Sequence, residues 1–389
     1  MTRDGQLGMQ PPLSLYVHLP WCVRKCPYCD FNSYTAGDIA QRDRYLDALL
    51  ADIEAEADRA DGRELISIFL GGGTPSLFTP QQIAKLIDAV DDIFAMAADI
   101  EVTMEANPGT VECGDPVGYR QAGVNRLSIG AQSFDPEALT ALGRIHKVGD
   151  IERSVTEAHE AGFNNINVDL MYGLPGQAVA AAILDIDRAV ELEPQHLSWY
   201  ELTLEPGTVF HARPPAGLPS EEQRFEMQSR GQERLARLGY EQYEVSAHTQ
   251  DSWRSAHNMN YWSFGDYLAV GAGAHGKISV AEGIWRYAKP ANPKQYMQSI
   301  ESGEYSPELR AVSEADRVFE FMLNVLRLTG GFEEELFTAR TGLSVDVLRK
   351  RMEPSIGRGL IEAADDHSWR ATPLGRRFLN ELQAEFLPE

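Results

Sequence analysis

Over the first 250 residues, short continuous apolar runs alternate with longer stretches whose apolar residues recur at helical spacing. Leu15–Leu19 reads as a strand. "LISIFL" (Leu65–Leu70) is apolar throughout, as a parallel strand buried on both faces would be. "IEVTMEAN" (Ile100–Asn107), "RLSIGAQS" (Arg126–Ser133), "NINVDLMYG" (Asn165–Gly173) and "HLSWYELT" (His196–Thr203) repeat the signal. Between them, Gln41–Asp58, Ile151–Ala161 and Val179–Glu193 read as helices, and Thr79-Pro80 opens another, with Thr as N-cap and Pro in the first position. Six strands alternating with helices predict a parallel β/α barrel, closed or partial.

Polar residues gather where these strands end: Cys22–Cys29, Gly71–Thr74, Glu105–Asn107, Gln132 and Asp169. Each alone reads as a loop or cap. Together they fall on the face where β/α barrels build their sites. The alternation fades after about residue 205, where "EPGTVFHARPPAGLP" reads as a loop. From about residue 310 the chain changes to short helices with a two-strand turn at Asp365-Asp366, a winged-helix-like pattern. The expected units are a barrel over 1–240, a linking segment over 241–309 and a C-terminal α+β module over 310–389.

Composition narrows the function classes. The net charge is −23, which argues against a nucleic acid partner, since phosphate binding needs basic surface. No apolar run reaches the length of a membrane span, and the first twelve residues have no signal-peptide core. Peripheral membrane association and a homodimer stay open. Four cysteines in 389 residues, three of them within eight positions, do not form a disulfide framework and point to a reducing, cytoplasmic setting.

Those three, Cys22, Cys26 and Cys29, have the spacing C-x3-C-x2-C. Thiolates are soft ligands that suit zinc or iron–sulfur clusters. A zinc site usually takes a second pair of ligands from elsewhere. None is evident, and Cys113 in "TVECGDP" reads as an ordinary free thiol. Three thiolates would hold three irons of a 4Fe–4S cube and leave one iron open.

C-x3-C-x2-C after a strand resembles the radical S-adenosylmethionine (SAM) superfamily. That resemblance implies a partial (β/α)6 radical SAM barrel, here with the C-terminal winged-helix-like module. It also implies a 4Fe–4S cluster on Cys22, Cys26 and Cys29, whose open iron is chelated by S-adenosyl-L-methionine. Tyr28 then packs near the adenine, and "GGGTP" (Gly71–Pro75) lies at the methionine amino group. "YVHLPWCVRKCPYCDF", "EANPGT", "RLSIGAQSF", "LGRIHK" and "NVDLMYGLPGQ" are similar to the oxygen-independent coproporphyrinogen oxidase family. Carried over by motif, Tyr16 lies near cluster and SAM, and Gly72, Gly73 and Thr74 line the SAM site. Glu105, Gln132, Arg144 and Asp169 match the polar SAM-binding positions. Carboxylates accept from ribose hydroxyls or an amino group, and an arginine fork pairs with a carboxylate.

Two departures separate the chain from the oxidase. The oxidase has a further cysteine two positions after the third, where this chain has Phe31, and a longer segment before its cluster. A third feature, "HNMNYW" (His257–Trp262), resembles the H-N-x-x-Y-W signature of the haem chaperone branch. From the residues alone, His257-Asn258 would cap a turn and the aromatics would be core. The resemblance implies haem held through His257, with Tyr261 and Trp262 against the porphyrin. Haem would then pass to acceptor haemoproteins, with cluster and SAM in regulatory or assembly roles. The alternative is coproporphyrinogen dehydrogenase activity by radical decarboxylation, or other radical chemistry on a tetrapyrrole. His18, beside Tyr16 before the cluster, reads as facing the site. His146, His248, His275 and the glycine run Gly271–Gly276 carry no ranked role.

Overall fold

The structure is a computed structural model that describes residues 10–35, 39–109, 114–251, 253–303 and 306–388. Cys113 lies outside the described residues. Six strands follow the expected order: β1 (Leu13–Leu19), β2 (Leu65–Gly72), β3 (Met96–Ala106), β4 (Arg126–Gln132), β5 (Ile166–Tyr172) and β6 (His196–Glu201). They lie side by side in chain order and pair in parallel. Parallel strands need crossovers, and helices such as Ile39–Ala60, Pro80–Ile93, Val148–Glu160 and Val179–Val190 supply them. The sheet stays open, as a partial barrel does.

Local sequence sets these elements. Thr79 and Gln82 form the capping box that starts the helix at Pro80: the Thr79 hydroxyl accepts from the Gln82 N–H, and the Gln82 side chain accepts from the Thr79 N–H. Such a cap contributes about 1 kcal/mol. β1 is buried at all positions except Tyr16, so its apolar run faces core on both sides. One core unites the sheet with its helices through residues such as Leu15, Leu70, Ile129, Val168 and Leu197.

Residues 241–309, expected as a linking segment, extend this sheet. Asp266–Val270 pairs in parallel with the free side of β1, and His275–Val280 and Gly283–Ala288 continue it as antiparallel strands. At the other end Ala247–Thr249 pairs antiparallel with β6. The whole sheet has twelve strands. The segment also gives Phe264 and Ile284 to a second core, built mainly from the C-terminal module around Phe321, Phe337 and Leu348. That module holds a three-stranded sheet whose strands Ile361–Ala363 and Ser368–Ala371 flank the expected turn. Among the described residues, no helix is long and apolar enough to cross a membrane.

Candidate functional site

The strand ends open into a cavity of about 360 Å³, lined by Cys22, Cys26 and Cys29 and by Glu105, Gln132 and Asp169. Tyr28, Gly72, Gly73, Thr74 and Arg144 complete the set of expected residues that line it.

The cysteine loop is tied to the barrel through backbone. Thr74 N–H donates to the Trp21 carbonyl at 2.7 Å, and Gly73 N–H to Leu19 at 2.8 Å. Gly73 must be glycine, because a Cβ there would sit 2.6 Å from the Trp21 oxygen. Gly72 has φ +118°, and a Cβ on it would meet the His18 ring at 2.5 Å. The glycine run thus lets strand β2 press against the loop that carries the thiols.

All three thiols are free. Among the described residues no three His, Cys, Asp or Glu side chains converge as a single-ion site. The three thiols all line the one cavity. Burial pushes the Cys22 thiol up to about 11, and burial raises Cys29 as well. Metal binding at these thiols therefore releases protons. Arg144 Nη1 lies 3.7 Å from Cys26 Sγ and supplies positive charge beside it.

Arg144 also organises the cavity floor. Its Nη2 donates to Asn107 Oδ1 at 2.5 Å and to the Gly130 carbonyl at 2.9 Å. Asn107 Nδ2 in turn donates to Thr74 Oγ1 at 2.9 Å. Gly130 leaves this crossing room, since a Cβ there would lie 2.9 Å from Gln132 Nε2 and 3.4 Å from Arg144 Nη2. Gln132 has φ +69°, just past a register shift in β4, and so turns its side chain into the cavity.

Two carboxyls, Glu105 and Asp169, line the same cavity. Glu105 Oε2 accepts from Gly72 N–H at 2.9 Å. Burial, and secondarily Asp169, raises its carboxyl from 4.5 to about 7, against that single hydrogen bond. Asp169 accepts from Asn167, Ser128 and Tyr200 at 2.7, 3.2 and 3.2 Å. Burial still moves its carboxyl upward. Two carboxyls that resist ionisation await a cationic or hydroxyl-bearing ligand.

Tyr16 does not line the cavity. Burial keeps His18 neutral, and its Nε2–H donates to the Asn32 carbonyl at 2.9 Å. Nδ1 is then an acceptor for the Tyr16 hydroxyl, 2.8 Å away. His18 therefore braces Tyr16 and the cysteine loop together.

His257 is 4% exposed and stacked on Phe69 at 4.2 Å. Its Nδ1 donates to Glu101 Oε1 at 2.8 Å. The helix Ala256–Trp262 is capped by Ser255 and packs under the barrel strands, with Asn260 donating to Ser14 at 2.8 Å. As placed, the His257 ring lies buried between Phe69 and Glu101, with its Nδ1 committed to the carboxylate. His146 and His248 are buried and His275 exposed, and none of the three lines the cavity.

Ser128, Asn167 and Tyr200 were not singled out in the sequence. Their signal was faint, because they sit on strand faces whose direction only pairing reveals.

A family model described as the Radical SAM superfamily matches residues 16–183, and one described as the HemN C-terminal domain matches residues 312–378. Heme chaperone HemW of Escherichia coli is 45% identical over 380 residues, 97% of this chain and 99% of that protein. Heme chaperone HemW of Bacillus subtilis is 35% identical, again over 97% of this chain and 99% of that protein. Among solved structures, coproporphyrinogen III oxidase (HemN) from Escherichia coli, a radical SAM enzyme, superposes with a TM-score of 0.81 at 25% identity, covering 97% of this chain and 90% of that one.

Proposed function

Since the chain belongs to the haem chaperone HemW family, we propose that it binds haem and passes it to acceptor haemoproteins, and that it carries a SAM-ligated 4Fe–4S cluster in the strand-end cavity. The full-length likeness to the HemW proteins carries this reading. The lining of the cavity supports it: three soft thiols, a guanidinium beside one of them, and two carboxyls.

In this reading Cys22, Cys26 and Cys29 hold the cluster. Glu105, with the Gly72–Thr74 turn, receives the SAM amino group, and Asp169 accepts from the ribose. Arg144 pairs with the SAM carboxylate while it braces Asn107, and Gln132 completes the polar wall. Tyr28 shields the adenine side. When bound, the cluster supplies one-electron chemistry to SAM. The protein's own part is to exclude water, hold the zwitterion by opposite charges and keep Tyr16 oriented through His18.

The alternative reading, coproporphyrinogen dehydrogenation, draws on the HemN fold. Phe31, where the oxidase has a further cysteine, is 55% exposed and lines the cavity. That favours the chaperone. The deciding experiment gives cluster-loaded protein coproporphyrinogen, SAM and reductant under anaerobic conditions, with a parallel sample given haem. We expect haem to stay with the protein through gel filtration and no protoporphyrinogen to form. Multiple turnovers to protoporphyrinogen with no haem retained would overturn the reading.

A further inference from the structure

The protein has a second crevice, of about 250 Å³, between the helix Glu221–Arg237 and the C-terminal module. Phe225, Leu326 and Leu379 give it apolar walls, and Arg327, Arg376 and Arg377 give it charge. Among the described residues no carboxylate lines it. In a chain of net charge −23, three arginines around one crevice without an acid among them is a local inversion.

The arginines are set for an incoming acceptor. The Arg377 guanidinium lies over the Phe225 ring at 4.2 Å, which holds it against the apolar wall. Arg376 and Arg377 make no ion pair among the described residues, whereas Arg327 is paired with Glu244 at 3.0 Å. Arg327 also lies over Trp262 at 4.2 Å. Arg327 Nε and Trp262 Nε1 are both buried donors with no acceptor among the described residues. Donors thus outnumber acceptors, and the surplus reaches the last residue of "HNMNYW".

We propose that this crevice is the haem seat, with the edge of the macrocycle against Phe225, Leu326 and Leu379 and the two propionates on Arg376 and Arg377. The proposal rests on the haem-carrier reading above. Guanidinium forks match carboxylates in shape and stay charged at every working pH. A simple inorganic anion would satisfy the arginines but make no use of the apolar wall. The site also gives the aromatic end of "HNMNYW" a part in haem binding, because Trp262 backs Arg327.

The test titrates the full, cluster-loaded chain with haem and with haem dimethyl ester, whose propionates carry no charge. Wild type is compared with Arg376→Glu/Arg377→Glu. A double variant with the same charge change elsewhere, Arg120→Glu/Arg153→Glu, controls for net charge. Two exposed ion pairs of roughly 0.7 kcal/mol each amount to about a tenfold change. We expect the crevice variant to bind haem at least about tenfold more weakly, the control to bind like wild type, and the ester to bind both wild type and crevice variant equally. Equal haem affinity in wild type and crevice variant would overturn this site while leaving the carrier reading intact. So would an ester that binds wild type as tightly as haem. Wild type that binds no haem would overturn the carrier reading and the site with it.

Discussion

Glu101 and Glu105 stand four residues apart on strand β3 and, by the two-residue period of a strand, on the same face. Their surroundings make them opposites. Burial would raise Glu101, but His257, Arg126 and the Ala256 N–H outweigh it and hold the carboxyl well below its usual range. Glu101 is an anion locked into the barrel floor. Burial acts on Glu105 with one backbone donor against it, and its carboxyl rises to about 7. One strand thus carries a spent charge below and an available one at the mouth. Partner count, not residue type or burial, separates a structural carboxylate from a binding one.

The largest effect that would test this contrast lies at the mouth. Cys22→Ser/Cys26→Ser/Cys29→Ser should lose all reconstituted iron and the brown absorbance while the fold melts cooperatively. Iron and colour that survive would break the assignment of the mouth. Next, Glu101→Ala should cost about 3–5 kcal/mol in urea unfolding, because it leaves Arg126 buried without its partner. A cost below about 1 kcal/mol would mean the floor is not a lock. Gly73→Ala should cost about 1–3 kcal/mol, because its Cβ meets the Trp21 carbonyl and must move the cysteine loop. Reduced cluster occupancy should accompany it. Glu105→Gln should leave stability near wild type at pH 5 and weaken SAM about tenfold by calorimetry, the loss of one charge-assisted hydrogen bond.

The two carboxyls also give pH dependences of opposite sign. The folded chain keeps the Glu105 proton that the unfolded chain releases near 4.5. That contribution is full below about 4.5 and is lost as pH rises through about 7. Glu101, lowered in the fold, contributes above its unfolded value and loses the contribution as pH falls. Asp169 and Asp185 are also raised by burial and share this sign, so Glu105→Gln should reduce the decline in stability between pH 5 and 8 without changing the acid limb. A decline of unchanged size would remove Glu105 as a source.

The six strands were legible because buried parallel strands leave continuous apolar runs, and the helix at Pro80 because Thr79 and Gln82 cap it locally. The thiols and "GGGTP" were legible because their spacing is itself the signal. The burial of His257 was not legible for a physical reason: its partner Glu101 lies 156 residues away, and no local pattern reports such a pairing. Asp266–Val270 was missed because it is a five-residue strand whose place beside β1 comes from pairing alone. Asn107 was legible as a strand-end polar residue, but its bridging role was not, because its two partners, Thr74 and Arg144, come from different loops.

The central claim is that this chain carries haem. Its most direct test is an anaerobic titration of cluster-loaded protein with haem, followed at the Soret band. The account predicts saturation near one haem per chain that also occurs in His257→Ala, because that ring is committed to Glu101. Absence of saturable binding in wild type would contradict the account.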